Sequence, residues 1–78
     1  MSNIHYITKS ETKRNAMLFT AYYQSIALML NSWNPDYRRP VQIVMRLNFS
    51  YCQDHYAMGT NARVVAEYIA DANNLTIL

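Results

Sequence analysis

Hydrophobic residues return every three or four positions in the first half of the chain. Phe19, Tyr22, Ile26, Met29 and Trp33 form one row, with Leu18, Ala21 and Leu28 on a neighbouring row. That period marks an amphipathic helix, and so wide an apolar arc predicts that the helix is central. A start signal lies upstream, where Thr8 and Glu11 have the spacing of a capping box and Ser10 offers a cap one step along. The predicted helix spans about 9–33. Before it, "NIHYIT" alternates in the manner of a short strand.

After Asn34, Pro35 and Asp36 break the first pattern, the period changes. In "VQIVMRLNFSYC", Val41, Ile43, Met45, Leu47, Phe49 and Tyr51 fall on one side, and Gln42, Arg46, Asn48 and Ser50 on the other. Alternation predicts a strand over 41–48. From Phe49 through Cys52 to Tyr56 the spacing is also helical, so whether 49–58 continues the strand or turns helical stays open. Gly59, the only glycine, stands where a helix C-cap and the next N-cap meet. Val64, Val65, Tyr68, Ile69 and Ala72 then predict a second helix over 60–73, and the final "LTIL" is a candidate short strand. The resulting expectation is a single helix-dominated α+β domain over 1–78, in which the lone central strand pairs with the N-terminal segment or with its copy in a dimer.

Length and composition sharpen this picture. A core made from 78 residues is marginal by itself; the single cysteine excludes an internal disulfide, and the sparse Cys and His residues offer no structural zinc framework. Half of the residues are apolar and only 15% are charged. Such a chain leaves apolar surface for a partner, and a homodimer is expected. The run of residues 16–30 is interrupted by Thr20, Gln24 and Ser25, is shorter than a bilayer requires, and lacks a cleavage site after it. A cytoplasmic protein that does not enter the membrane is expected.

The net charge of +2 divides unevenly. Residues 1–50 carry six cations against two carboxylates, a net +4, whereas residues 51–78 carry Arg63 against three carboxylates, a net −2. Electrostatic attraction for an anionic partner therefore resides in the first half.

Four groups of residues could carry function. "WNPDYRRP", residues 33–40, reads as a loop stiffened by two prolines and rich in the Trp, Tyr and Arg that dominate binding hot spots. Trp33, Tyr37, Arg38 and Arg39 of this loop, with Arg46 beyond it, are the candidate partner-binding residues, against the plainer alternative that Trp33 belongs to the core and Arg38 and Arg39 are merely solvated. A helix-turn-helix reading of 49–73 would instead present Thr60, Asn61 and Arg63 to a DNA groove. It is opposed by the net negative charge of that segment and by His55 at a position that is normally small. A third option pairs strand 41–48 across a dimer as a ribbon, with Gln42, Arg46 and Asn48 reading base edges. Cys52 and His55 are two ligands at most for a metal, and as a nucleophile and base they lack a third group and an oxyanion site.

No catalytic motif, cofactor loop or metal framework emerges. The expected function is a small non-catalytic binder that occupies a macromolecular partner, a host protein or protein complex, in the manner of inhibitors made by phages or mobile elements. The alternative is a small DNA-binding transcriptional regulator using 49–73.

Overall fold

The structure is a computed structural model that describes the backbone of residues 9–78 and side chains from residue 18 onward. Four helices account for it: α1 (Lys9–Trp33), α2 (Arg38–Leu47), α3 (Phe49–Met58) and α4 (Ala62–Ala72). The strand-like segment before residue 9 and the proposed cap at Thr8 lie outside the described residues.

Among the described residues there is no strand, and this overturns the α+β expectation. The segment expected to be a strand over 41–48 is helix α2 with its C-cap at Asn48. Its alternating residues serve both periods: Val41 and Met45 are two steps apart in the alternation, and they are also i and i+4 on a helix. Both are buried, with Val44 and Asn48 half-buried beside them, while Ile43 and Leu47 of the same alternating set face solvent. A lone strand leaves its N–H and C=O groups without a ladder partner, whereas a helix satisfies them internally. Because 41–48 is helical, it does not form the ribbon expected across a dimer, and "LTIL" follows α4 as coil.

Helix α1 spans 9–33 as the apolar period predicts, and the other three helices pack against it. Its buried line is Ile26, Leu30 and Trp33, flanked by half-buried Phe19, Tyr22, Tyr23, Ala27 and Met29. The row of Leu18, Ala21 and Leu28 faces outward. Helix α4 packs most extensively on α1, through Val65, Ala66, Ile69 and Ala70. Its small residues, Ala66 and Ala70, allow a close approach of the two backbones. That choice turns the stripe away from Tyr68 and Ala72, which are exposed.

Two left-handed residues punctuate the second half. Gly59 (φ 77°) ends α3 as its amide donates to the Tyr56 carbonyl and that of Thr60 to the His55 carbonyl. Asn74 (φ 56°) follows α4, with Leu75 donating to the Ala70 carbonyl at 2.8 Å. Both are Schellman closures, for which glycine and asparagine are the residues that tolerate positive φ. In the second closure Leu75 folds back onto the core.

Candidate interaction surface

Residues 33–40 do not form the loop expected from their two prolines. Helix α1 runs through Trp33, a turn occupies 34–37, and Arg38, Arg39 and Pro40 are the first turn of α2, where a missing proline N–H costs nothing. Trp33 is buried, 7% exposed, with the Arg63 guanidinium carbon 5.2 Å from its ring centroid. It belongs to the core. Tyr37, the N-cap of α2, and Arg38, Arg39 and Arg46 are exposed.

The side chain that organises this turn is Asn34, which sequence reasoning treated only as a helix breaker. It is buried, donates from Nδ2 to the carbonyls of Leu30 and Thr76 at 3.0 Å each, and accepts from the Thr76 amide at 2.7 Å. The C-terminal segment is thereby tied to the end of α1. No local signal in the sequence identifies this pairing across 42 positions.

The outer side of α2 presents Arg39, Ile43 and Leu47 at intervals of four, with Gln42 and Arg46 on the adjoining row. Leu47 is 81% exposed and Ile43 47%. The first turn contains no acidic residue, and neither Arg38 nor Arg39 has an ion-pair partner among the described residues. Two cations at a helix N-terminus also oppose the macrodipole. Arg46, at the other end of the helix, lies close enough to Tyr23 to act on it electrostatically: burial pushes the Tyr23 phenol pKa up, with Cys52 adding, while Arg46 pulls it down.

The helix-turn-helix elements are present, since α3, Gly59 and α4 follow one another as that reading requires. Their candidate contact residues make intramolecular hydrogen bonds, with Thr60 half-buried and Asn61 and Arg63 exposed. The Thr60 carbonyl accepts from the Tyr22 hydroxyl at 2.7 Å, and Thr60 Oγ1 is 2.9 Å from His55 Nδ1. Asn61 caps α4 by accepting from the Arg63 amide at 2.8 Å. Arg63 pairs with Glu67 through Nε at 3.1 Å, donates from a terminal nitrogen to the Leu78 carbonyl at 2.9 Å, and lies over Trp33. His55 fills its position between the rings of Tyr51 and Tyr68.

Cys52 is fully buried, and desolvation pushes its thiol up to about 11. At neutral pH it is a packing group, because the thiolate is the reactive form. Among the described residues, no three His, Cys, Asp or Glu side chains gather to hold a metal, and no helix is long and apolar enough to cross a membrane.

No family model, curated protein or solved structure matches the chain. The geometry of its surface therefore carries the functional argument.

Proposed function

We propose that the protein is a non-catalytic binder that docks an acidic protein surface on the outer side of α2. The observation that carries this reading is the coincidence, on one short helix, of exposed Ile43 and Leu47 with Arg38, Arg39 and Arg46. Covering Leu47 removes apolar surface from water. Covering the arginines at the same time is favourable only if they acquire acidic partners. A carboxylate docked at the start of α2 meets two guanidinium groups and the positive end of the helix dipole together. An acidic and apolar protein surface supplies both kinds of contact. DNA is less suited to this side of the molecule, since it offers phosphates but little apolar area to Ile43 and Leu47, and Arg63 on α4 is already engaged.

The test starts by retaining interacting species from native lysate on the immobilised protein, then identifying, purifying and titrating them. Arg38→Ala with Arg39→Ala, and separately Leu47→Glu, should each weaken the purified complex about ten-fold or more, with melting temperature unchanged. Equal affinity for wild type and both variants overturns the assignment. So does tight binding of random duplex DNA with a steep salt dependence, or a dimer in light scattering that either variant dissociates.

A further inference from the structure

A cleft of about 330 Å³ opens between α1 and α2, beside the proposed docking face. Tyr23, Ala27 and Asn31 line it from α1 at intervals of four; Val41, Gln42, Met45 and Arg46 line it from α2, where the Gln42 amide adds a second group that can donate to or accept from an occupant. The helices run in opposite directions across it, since the turn at 34–37 joins the Asn31 end to the start of α2 and Arg46 acts on Tyr23 at the far end. Tyr23 and Asn31 are eight residues apart on α1, so the cleft is about 12 Å long. Its volume is at the small end of ligand pockets, which run from about 300 to 1,000 Å³.

Asn31 is the anomaly in this wall. Its Oδ1 is buried without a hydrogen-bond donor, the only buried side-chain polar atom so placed among the described residues. Three other asparagines, Asn34, Asn48 and Asn73, donate to the carbonyl four residues earlier in their helices. Asn31 makes no such bond. An unpaired buried oxygen weakens the fold, and natural proteins keep such groups mainly where something else pairs with them. The final torsion of an asparagine turns at little cost, so the oxygen can be offered to a donor in the cleft.

The remaining lining narrows the occupant. Ala27 and Val41 provide an apolar floor. Tyr23, Met45 and Arg46 all favour an aromatic ring: the first by ring contact, the second through its sulfur, the third by stacking of the guanidinium. Arg46 also has no carboxylate partner among the described residues and is suited to hold an anion at the Tyr23 end. We infer that the α1–α2 cleft binds an aromatic carboxylate that carries an N–H or O–H donor, the donor pairing with Asn31 and the carboxylate with Arg46. A free small acid and a Trp or Tyr side chain beside an acidic residue in a bound protein share this chemistry. The inference rests on the cleft and on the unpaired amide; it shares Arg46 with the α2 docking reading but does not depend on Arg38, Arg39 or Leu47.

The test is a titration of the whole protein, followed by amide chemical shifts, with indole-3-acetate, its N-methyl derivative, indole, and the peptide acetyl-Glu-Trp-amide. Saturable shifts are expected at Asn31, Val41, Met45 and Arg46, with the N-methyl compound weaker by about ten-fold because it lacks the donor. Asn31→Leu should raise the melting temperature, since it removes the unpaired oxygen, and should lower affinity by a similar factor. Arg46→Gln should erase the preference for indole-3-acetate over indole. Tighter binding of the peptide than of the free acid assigns the natural source to a protein side chain; the reverse assigns it to a free small acid.

The inference is overturned if no probe produces saturable shifts in the cleft up to ~10 mM, well past millimolar affinity. It is equally overturned if the N-methyl compound binds as well as indole-3-acetate, or if Asn31→Leu folds and binds like wild type. The Arg38→Ala, Arg39→Ala protein should bind the probes normally, which separates failure of the cleft from failure of the α2 docking reading.

Discussion

Cys52 illustrates how position changes the chemistry of one side chain. The same thiol that invites a reactive role beside His55 is enclosed between helices, and its pKa is pushed from an ordinary 9.0 to about 11. The linkage follows from the sign of the shift. The unfolded chain loses its thiol proton first as pH rises, so the contribution of the neutral buried thiol is complete below pH 9 and is lost on the way to 11. The stability difference between wild type and Cys52→Ala, measured by urea unfolding, should therefore shrink between those pH values. A constant difference would mean that the thiol is hydrated in the folded protein. Tyr22 and Tyr23 are raised mainly by desolvation, which is common to both proteins; the smaller part that Cys52 adds is lost in the variant and belongs to the measured difference.

Helix α2 is the element on which the two periodicities make opposite forecasts. A strand would bury Val41, Ile43, Met45 and Leu47 alike; the helix buries only the first and third. Replacing Val41 or Met45 by Ala should cost ~1–5 kcal/mol, the range for truncation of packed aliphatic side chains. Replacing Ile43 or Leu47 by Ala should cost less than ~0.5 kcal/mol, as solvent-facing changes do. Chemical denaturation of the four variants checks this, and equal losses at all four would restore the alternating face. In α1, Ile26→Ala should cost ~2–5 kcal/mol, because Ile26 is enclosed on every side.

Across the molecule, the C-terminal segment closes the fold from a distance. Thr76 exchanges two hydrogen bonds with Asn34, Leu75 packs on the core, and the Leu78 carbonyl accepts from Arg63, whose guanidinium covers Trp33. Asn34→Ala should cost ~1–3 kcal/mol, the penalty for leaving buried polar groups unpaired. Removing residues 76–78 deletes the same partners, so the two changes should be strongly non-additive in a double-mutant cycle. Trp33, the only tryptophan, gives a fluorescence signal for all four proteins of that cycle. Additive losses would show that the tail and the α1–α2 turn are energetically independent.

Several of these features are legible in the chain itself. The span of α1 follows from the recurrence of Phe19, Tyr22, Ile26 and Trp33; the break at Gly59 and a helix beyond it follow from a single residue that tolerates positive φ and from the apolar period after it. Charge asymmetry likewise puts the excess of cations, Arg38, Arg39 and Arg46 among them, in the first half. These are local properties, set by the spacing of side chains and by backbone sterics over a few residues.

Tertiary structure decided the rest. Val41 to Leu47 satisfies the period of a strand and that of a helix, and the helix prevails because no described segment pairs with a strand there while α1 offers a groove for Val41 and Met45. Whether Trp33 reached solvent depended on Arg63, thirty positions away, and the role of Asn34 depended on Thr76. That α4 buries Ala66 and Ala70 and leaves Tyr68 exposed was set by which of its sides packs against α1. The cleft at Asn31 exists only where two helices meet. Periodicity specifies that a segment has an apolar side, but which side is buried, and which polar groups are left without partners, is settled by the surfaces that fold against it.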